Sequence, residues 1–318
     1  MSEPLSALML FGGCVYLLIG GDFLVRGALA LSRRSSISPM VVGLTVVAIG
    51  TSAPELIVSL HSALDGHPGI SVGNVVGSNI ANVLLVIGVP ALIHPIVATE
   101  NTVTRQAAFM VAVSVVFVVM CFMGEIGQLQ AWIMLAILGL GVAMTIRGSV
   151  AMPGVDVDDA KEQMERVLGL PQRPLSIAAL IVLGGVFLPI GAELTVNGAV
   201  LLSAQLGVAE AVIGSTFVAL GTSLPELSST LIAAYRRSAD MALGNVIGSN
   251  VLNILVIIGV TALLVDLPVP EIYLRRELWI MLGSSVVLLC FIGRKIAVGR
   301  WSGALFCIGY LAYCMILI

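Results

Sequence analysis

Glu55, in the stretch GTSAPEL at 50–56, and Glu226, in GTSLPEL at 221–227, each sit inside an apolar run of membrane-spanning length. An ionisable group at the centre of such a span costs about 2.5–3.5 kcal/mol on insertion scales, so it normally faces a bundle interior or an aqueous path. Pro54 and Pro225 each remove a backbone donor and clash one turn back, and Gly50 and Gly221 weaken the helix just upstream. Both helices are therefore expected to break at this motif. Backbone freed at membrane depth is tolerated only where it is buried in protein or lines a cavity, and its carbonyls there are ready cation ligands. Thr51, Ser52 and Glu55, with Thr222, Ser223 and Glu226, add side-chain oxygens around the two breaks. These are hard donors with no Cys or His among them, which suits calcium or sodium and not zinc or copper.

A second motif supplies further oxygens. In GNVVGSNIAN (73–82), Ser78 and Asn82 are four apart and share one helical face, as do Ser249 and Asn253 in GNVIGSNVLN (244–253). Gly73 with Gly77, and Gly244 with Gly248, form small-xxx-small patches expected to admit a neighbouring helix closely. Two ionised glutamates would neutralise one calcium or two sodium ions, and competition for a shared cage is the basis of exchange. One glutamate beside a proline has a structural helix break as its competing, minority reading; two at matching positions with matching Ser and Asn partners weaken that reading much further. Asp22 and Arg26, four apart, read as an internal pair, while Glu193 is a secondary candidate near Asn197. The three histidines (His61, His67, His94) fall near span ends, where surface placement is the default.

The elements that must hold these groups follow from composition. Hydrophobic residues make up 58 %, charged residues 10 %, and mean hydropathy is +1.10, against about 25 % charged residues in ordinary soluble domains. The chain reads as an all-α integral membrane protein, with apolar runs too long and continuous for barrel strands. Spans are expected at 5–31, 39–64, 70–93, 102–123 and 128–147, then at 175–204, 210–235, 241–265, 272–293 and 299–318. The N-terminal stretch, with an acid and no base before its first apolar run, is not the pattern of a cleaved signal peptide. The five cysteines lie in apolar segments without metal-like spacing and are expected as small core residues.

The two halves repeat. GLTVVAIGTSAPEL (43–56) matches GSTFVALGTSLPEL (214–227), and SVGNVVGSNIANVLLVIGVPAL (71–92) matches ALGNVIGSNVLNILVIIGVTAL (242–263), every pair being 171 residues apart. Ten transmembrane helices thus divide into two five-helix repeats, 1–150 and 174–318, joined by a linker at 151–173. An odd number of spans per repeat inverts the second copy. With the N- and C-termini outside, twelve Lys and Arg fall in cytoplasmic connections and only Arg275 and Arg276 outside, as the positive-inside tendency requires. The linker has five acids between 156 and 165. It reads as solvated chain with a short interfacial helix in preference to a regulatory cation site.

These paired motifs resemble the alpha-repeats of the calcium/cation antiporter superfamily, which includes the sodium/calcium exchangers. The resemblance covers both halves. It implies a compact bundle whose second, third, seventh and eighth helices enclose the ions, with the long first and sixth helices sliding across them. The implied ligands are Thr51, Ser52, Glu55, Ser78 and Asn82, with Thr222, Ser223, Glu226, Ser249 and Asn253, and the backbone carbonyls of Ala48 and Ala219. Potassium-dependent exchangers carry an aspartate where this chain has Asn253, which argues against potassium co-transport and places sodium ahead of protons.

The expectation is a secondary antiporter exchanging calcium for sodium by alternating access in the plasma membrane, or the inner membrane of a bacterium. Its partners are the two ions and the bilayer, with no nucleic acid and no obligatory protein partner. It needs no cofactor, since the sodium gradient supplies the energy. The nearest alternative is an antiporter of calcium, or another divalent cation, for protons. A passive channel could use the same oxygens. A membrane-embedded hydrolase is disfavoured, because no histidine has a GxSxG-type setting or a repeat counterpart.

Overall fold

The computed structural model describes residues 3–149, 170–205 and 219–317. Fifteen α-helices are defined among them. They are α1 (Glu3–Arg34), α2 (Pro39–Val42), α3 (Ala48–Thr51), α4 (Ala53–Leu64), α5 (Pro68–Ala81), α6 (Gly88–Ile93), α7 (Asn101–Cys121) and α8 (Gln128–Ser149), followed by α9 (Pro174–Gln205), α10 (Ala219–Thr222), α11 (Leu224–Tyr235), α12 (Ala239–Leu252), α13 (Gly259–Leu264), α14 (Leu278–Gly293) and α15 (Arg300–Leu317). Seven helical segments are long and apolar enough to cross a membrane, and the bent pair Pro39–Thr51 with Ala53–Leu64 makes an eighth. The expected interfacial helix of the linker and the first part of the 210–235 span lie outside the described residues.

Apolar side chains cover the outside. On α15, Trp301, Leu305, Ile308, Leu311 and Met315 are all exposed. Their spacing of three and four makes one helical stripe, as a face against lipid requires. Polar groups instead lie inside, among them Glu55, Glu226, Asn82 and Asn253. The cysteines divide between these environments: Cys121 is buried, but Cys14 and Cys290 face outward, which corrects their reading as core residues. In lipid an outward thiol has no burial requirement to meet.

Elements in the two halves recur at the spacing of the sequence repeat. The bounds of α1 and α9, α3 and α10, α4 and α11, α5 and α12, and α6 and α13 are each offset by 171 residues. A π-helical turn follows α5 (Asn82–Val86), and another follows α12 (Asn253–Ile258). Such a turn inserts an extra residue into the helical ladder and is frequent at functional sites. A further pairing was not visible in the spans. Strand β1 (Glu125–Ile126) pairs antiparallel with β2 (Leu267–Pro268), and Ile96 bridges Val298 in the equivalent place. Each ladder ties the loop after α6 or α13 to a loop of the other half.

The two longest helices, α1 and α9, pack antiparallel along glycines seven apart. Gly13 lies against Gly191 and Thr195, Gly20 against Phe187 and Leu188, and Gly27 against Ile177 and Ile181. Gly184, Gly191 and Gly198 of α9 lie reciprocally against Leu24, Leu17 and Leu10. A side chain on this seam would fall on the partner's backbone. With little hydrophobic gain available between helices in lipid, such close backbone approach is what holds them together. At 32 residues each, these helices run about 48 Å at 1.5 Å per residue, well beyond a hydrocarbon core of about 30 Å, and so cross it tilted or protruding.

Candidate ion-binding site

The breaks at the two glutamate motifs are alike. Helix α3 ends at Thr51 and α4 starts at Ala53, with Ser52 between them at φ −85° and ψ 5°; Ser223 occupies the same place at φ −89° and ψ 1°. Both serines sit in the bridge region of backbone space, which many active-site residues occupy. The axis bends by 46° across the first break. Pro54 and Pro225 fall in the first turn of the following helix, where a missing N–H leaves no extra donor unmet. The break expected from the sequence is present, and it puts each glutamate in the first turn of a helix, where the N-terminal dipole favours negative charge.

Glu55 and Glu226 are both 0 % exposed, and their carboxylates lie within electrostatic reach of one another. Hydroxyls come from both halves. Ser52 Oγ donates to Glu226 Oε1 at 3.0 Å, and Ser249 Oγ to the same oxygen at 3.4 Å. Ser78 Oγ and Thr222 Oγ1 are 3.5 Å apart. The Thr51 hydroxyl lies 3.3 Å from the Ala48 carbonyl and 3.3 Å from Asn245 Oδ1. The Ala48 carbonyl also accepts from the Ser52 N–H at 2.9 Å. Ala219 opens α10 one repeat on. Thus Thr51, Ser52, Ser78, Thr222, Ser249 and the two glutamates form one polar cluster, linked across the halves.

The structure adds groups that the residue spacing did not single out. Asn82 Nδ2 donates to Asn250 Oδ1 and Asn253 Nδ2 to Asn79 Oδ1, each at 3.0 Å. Asn79 and Asn250 in turn donate to each other's backbone carbonyls at 3.3 and 3.4 Å. This exchange commits the nitrogens of Asn82 and Asn253 and leaves their oxygens turned away from it. A similar pair stands behind the glutamates. Asn74 donates to the Glu55 carbonyl and to Ser59, and Asn245 to the Glu226 carbonyl, Ser229 and Thr230. Asn74, Asn79, Asn245 and Asn250 occur identically in both copies of the second motif, which was the available signal.

The glycine patches of that motif serve two purposes. Gly244 and Gly248 admit the backbone of Met40 and Leu44, as a small-residue contact would. Gly73 and Gly77 instead face the phenol groups of Tyr273 and Tyr313. Asp22 pairs with Arg26 at 3.4 Å and also accepts from Arg236 Nε at 3.2 Å, so the internal pair extends to the end of α11. His61 is exposed and pairs with Asp65 at 3.0 Å, away from the cluster.

What this cluster leaves unmet is specific. Among the described residues, Glu55 Oε1 and Oε2, Glu226 Oε2, Asn82 Oδ1, Asn253 Oδ1 and Ser223 Oγ are buried without a hydrogen-bond partner. Buried acceptors and unpaired carboxylates are costly unless something positive completes them. Six such oxygens, from the helix breaks and the π-helical turns of two repeated units, are the donor set that a cation would complete. Comparison with known proteins agrees. Residues 5–147 and 176–318 match the sodium/calcium exchanger protein family, to which this chain belongs. Sodium/calcium exchanger MaX1 of Methanosarcina acetivorans is 33 % identical, covering 98 % of this chain and 97 % of that one. The putative antiporter CaxA of Alkalimonas amylolytica is also 33 % identical, over 95 % of each chain. A structure of the sodium-calcium exchanger NCX_Mj, soaked without Na+ and Ca2+, superposes with a TM-score of 0.84 at 30 % identity over 100 % of both chains. The protein is an integral membrane cation antiporter of that family and not an enzyme.

Proposed function

We propose that this chain exchanges calcium for sodium by alternating access, with Glu55 and Glu226 as ligands shared by both ions. The observation that carries this reading is the set of six buried oxygens that have no hydrogen-bond partner among the described residues. All are hard donors, and two carboxylates match the charge of one calcium or two sodium ions. Thr51, Ser52, Ser78, Thr222, Ser223, Ser249, Asn82 and Asn253 complete the two half-sites, with the carbonyls of Ala48 and Ala219. An ion at the Ala48 carbonyl would displace the Thr51 hydroxyl hydrogen that now lies against it.

The ten spans form two inverted five-helix repeats, 1–150 and 174–318, with 151–173 as a cytoplasmic linker and both termini outside. Antiparallel packing of α1 against α9 supports the inversion, and their glycine seam suits helices that slide. Sodium is the coupling ion in this reading, with Asn253 supplying an amide and no titrating carboxyl.

Reconstituted vesicles with sodium, proton and potassium gradients imposed separately test this. Calcium uptake is expected only against sodium, and is expected to vanish in Glu55→Gln and Glu226→Gln. Uptake driven by a pH gradient without sodium would transfer the assignment to proton exchange, and uptake independent of any counter-ion would make the protein a channel.

A further inference from the structure

Glu277 is a carboxylate buried in the bundle that the ion site does not use, 7 % exposed at the end of the π-helical turn Tyr273–Glu277. It lines a cavity of about 370 Å³ with Glu271, Ile272, Arg275, Arg276, Ile280 and Tyr313. That volume lies in the range of small-molecule pockets, about 300–1,000 Å³. The one hydrogen bond to this carboxylate among the described residues comes from Tyr313 Oη, at a long 3.5 Å. The Tyr273 phenol also lies within electrostatic reach of it. Arg275 pairs with Glu271 at 2.7 Å, whereas the exposed Arg276 guanidinium has no partner among the described residues.

The fold does not demand a charge at this position. One repeat earlier, 171 residues upstream, stands Gln106, equally buried, whose amide donates to Thr145 at 2.9 Å. The cavity there is about 150 Å³ and mostly apolar, bounded by Val41, Leu44, Phe109 and Val142 among others. The cavity of the second copy is larger and is lined by two carboxylates, one phenol and two guanidiniums.

A bare metal cation at Glu277 would meet the two arginines, and a simple anion would meet Glu271 and Glu277. A zwitterion satisfies both sets. Trp279, half exposed and in ring contact with Phe122, donates its indole N–H to the Leu274 carbonyl beside the cavity. Tryptophan of this kind marks the level of the lipid headgroups, and Ile272 and Ile280 give the cavity an apolar wall.

We propose that this cavity binds an aminoethyl phosphate group, supplied by the headgroup of a zwitterionic phospholipid. The ammonium lies against the Glu277 carboxylate and beside the Tyr313 phenol, which line the same cavity. The phosphodiester lies on Arg276 with Arg275, and the glycerol end leaves along the isoleucines.

Native mass spectrometry of the full-length protein, released from nanodiscs of phosphatidylethanolamine and phosphatidylglycerol with identical acyl chains, tests the proposal. The wild type is expected to retain the ethanolamine lipid about tenfold more strongly, the worth of a hydrogen-bonded charge contact. Glu277→Gln should remove this preference, and Arg276→Gln should weaken ethanolamine-lipid retention; monodisperse elution verifies folding. Arg276 is exposed, so its variant carries the test if Glu277→Gln does not fold. Equal retention of both lipids by the wild type, a preference that survives Glu277→Gln, or ethanolamine-lipid retention unchanged in Arg276→Gln overturns the proposal. Thermal stabilisation by free phosphoethanolamine in phosphatidylglycerol discs, equal to that by the lipid, would assign the cavity to a soluble aminophosphate and overturn the lipid source.

Discussion

Replacing Asn250 by alanine tests whether the proposed ion site is aimed by groups outside the proposed ligand set. In the native chain Asn250 Oδ1 accepts from Asn82 Nδ2 at 3.0 Å, and its own amide reaches the Asn79 carbonyl at 3.4 Å. Asn82 is 0 % exposed, so the substitution strands a buried N–H that no water can reach. Stranding such a donor costs about 1–3 kcal/mol. The Asn82 amide can avoid this cost by rotating its nitrogen toward unpartnered oxygens of the cluster, and its Oδ1 then turns away. Outer-shell partners of metal ligands carry about 10–100-fold in affinity, or about 1.4–2.8 kcal/mol at about 1.4 kcal/mol per tenfold, which falls within that energy range. The calcium concentration for half-maximal sodium-dependent uptake should therefore rise about 10–100-fold in Asn250→Ala. Asn82→Ala should do the same, and the double variant should be little worse than either alone, because one interaction is being removed twice. Wild-type affinity in Asn250→Ala together with a loss in Asn82→Ala would refute the reasoning, since the amide would then hold its orientation unaided.

Other substitutions probe the frame around the site. Gly20→Val places a branched side chain against Phe187 and Leu188 of α9; overpacking of this kind costs about 1–3 kcal/mol, and vesicle assays should show lost turnover with equilibrium calcium binding largely kept. Asp240 accepts from the Thr99 and Glu100 N–H groups and from the Thr99 hydroxyl at the start of α7; losing this cap from the other half should cost about 0.5–2 kcal/mol, read as a lower melting temperature for Asp240→Ala. Asp22→Asn removes the charge from a partly exposed pair with Arg236, so the stability loss should stay near or below about 1 kcal/mol, with calcium affinity unchanged in equilibrium binding.

Much of the architecture could be read from residue types. Proline after a Gly-Thr-Ser run gave the two helix breaks to within a residue, because a missing donor and a steric clash are local facts. The matching of the halves fixed the offsets of α1 to α6 against α9 to α13. Ser52, Ser78 and Thr222 were legible for the same reason, being oxygens beside a break or on one helical face. What spacing could not supply was direction. Whether the Asn82 amide turns its oxygen or its nitrogen to the site depends on Asn250, which lies 168 residues away and comes from the other half. The glycines were half legible: Gly244 receives backbone, but Gly73 receives a phenol, because its neighbour is decided by tertiary packing. Glu277 escaped notice because it closes the charged YLRRE turn and reads as a span-end residue, although it is buried.

The crossed amides bear on how such a chain can arise and drift. Asn79 and Asn82 sit in one half, yet each has its side-chain partner in the other: Asn253 and Asn250. A lone half therefore possesses its carboxylate and amide without the residue that turns the amide. Only a pair of halves is complete, so a functional ancestor of half this length would already have been a two-chain assembly, and fusion would have joined a finished site. The two copies differ at Gln106 and Glu277, but a change at position 79 removes the side-chain partner of Asn253, and one at 250 removes that of Asn82.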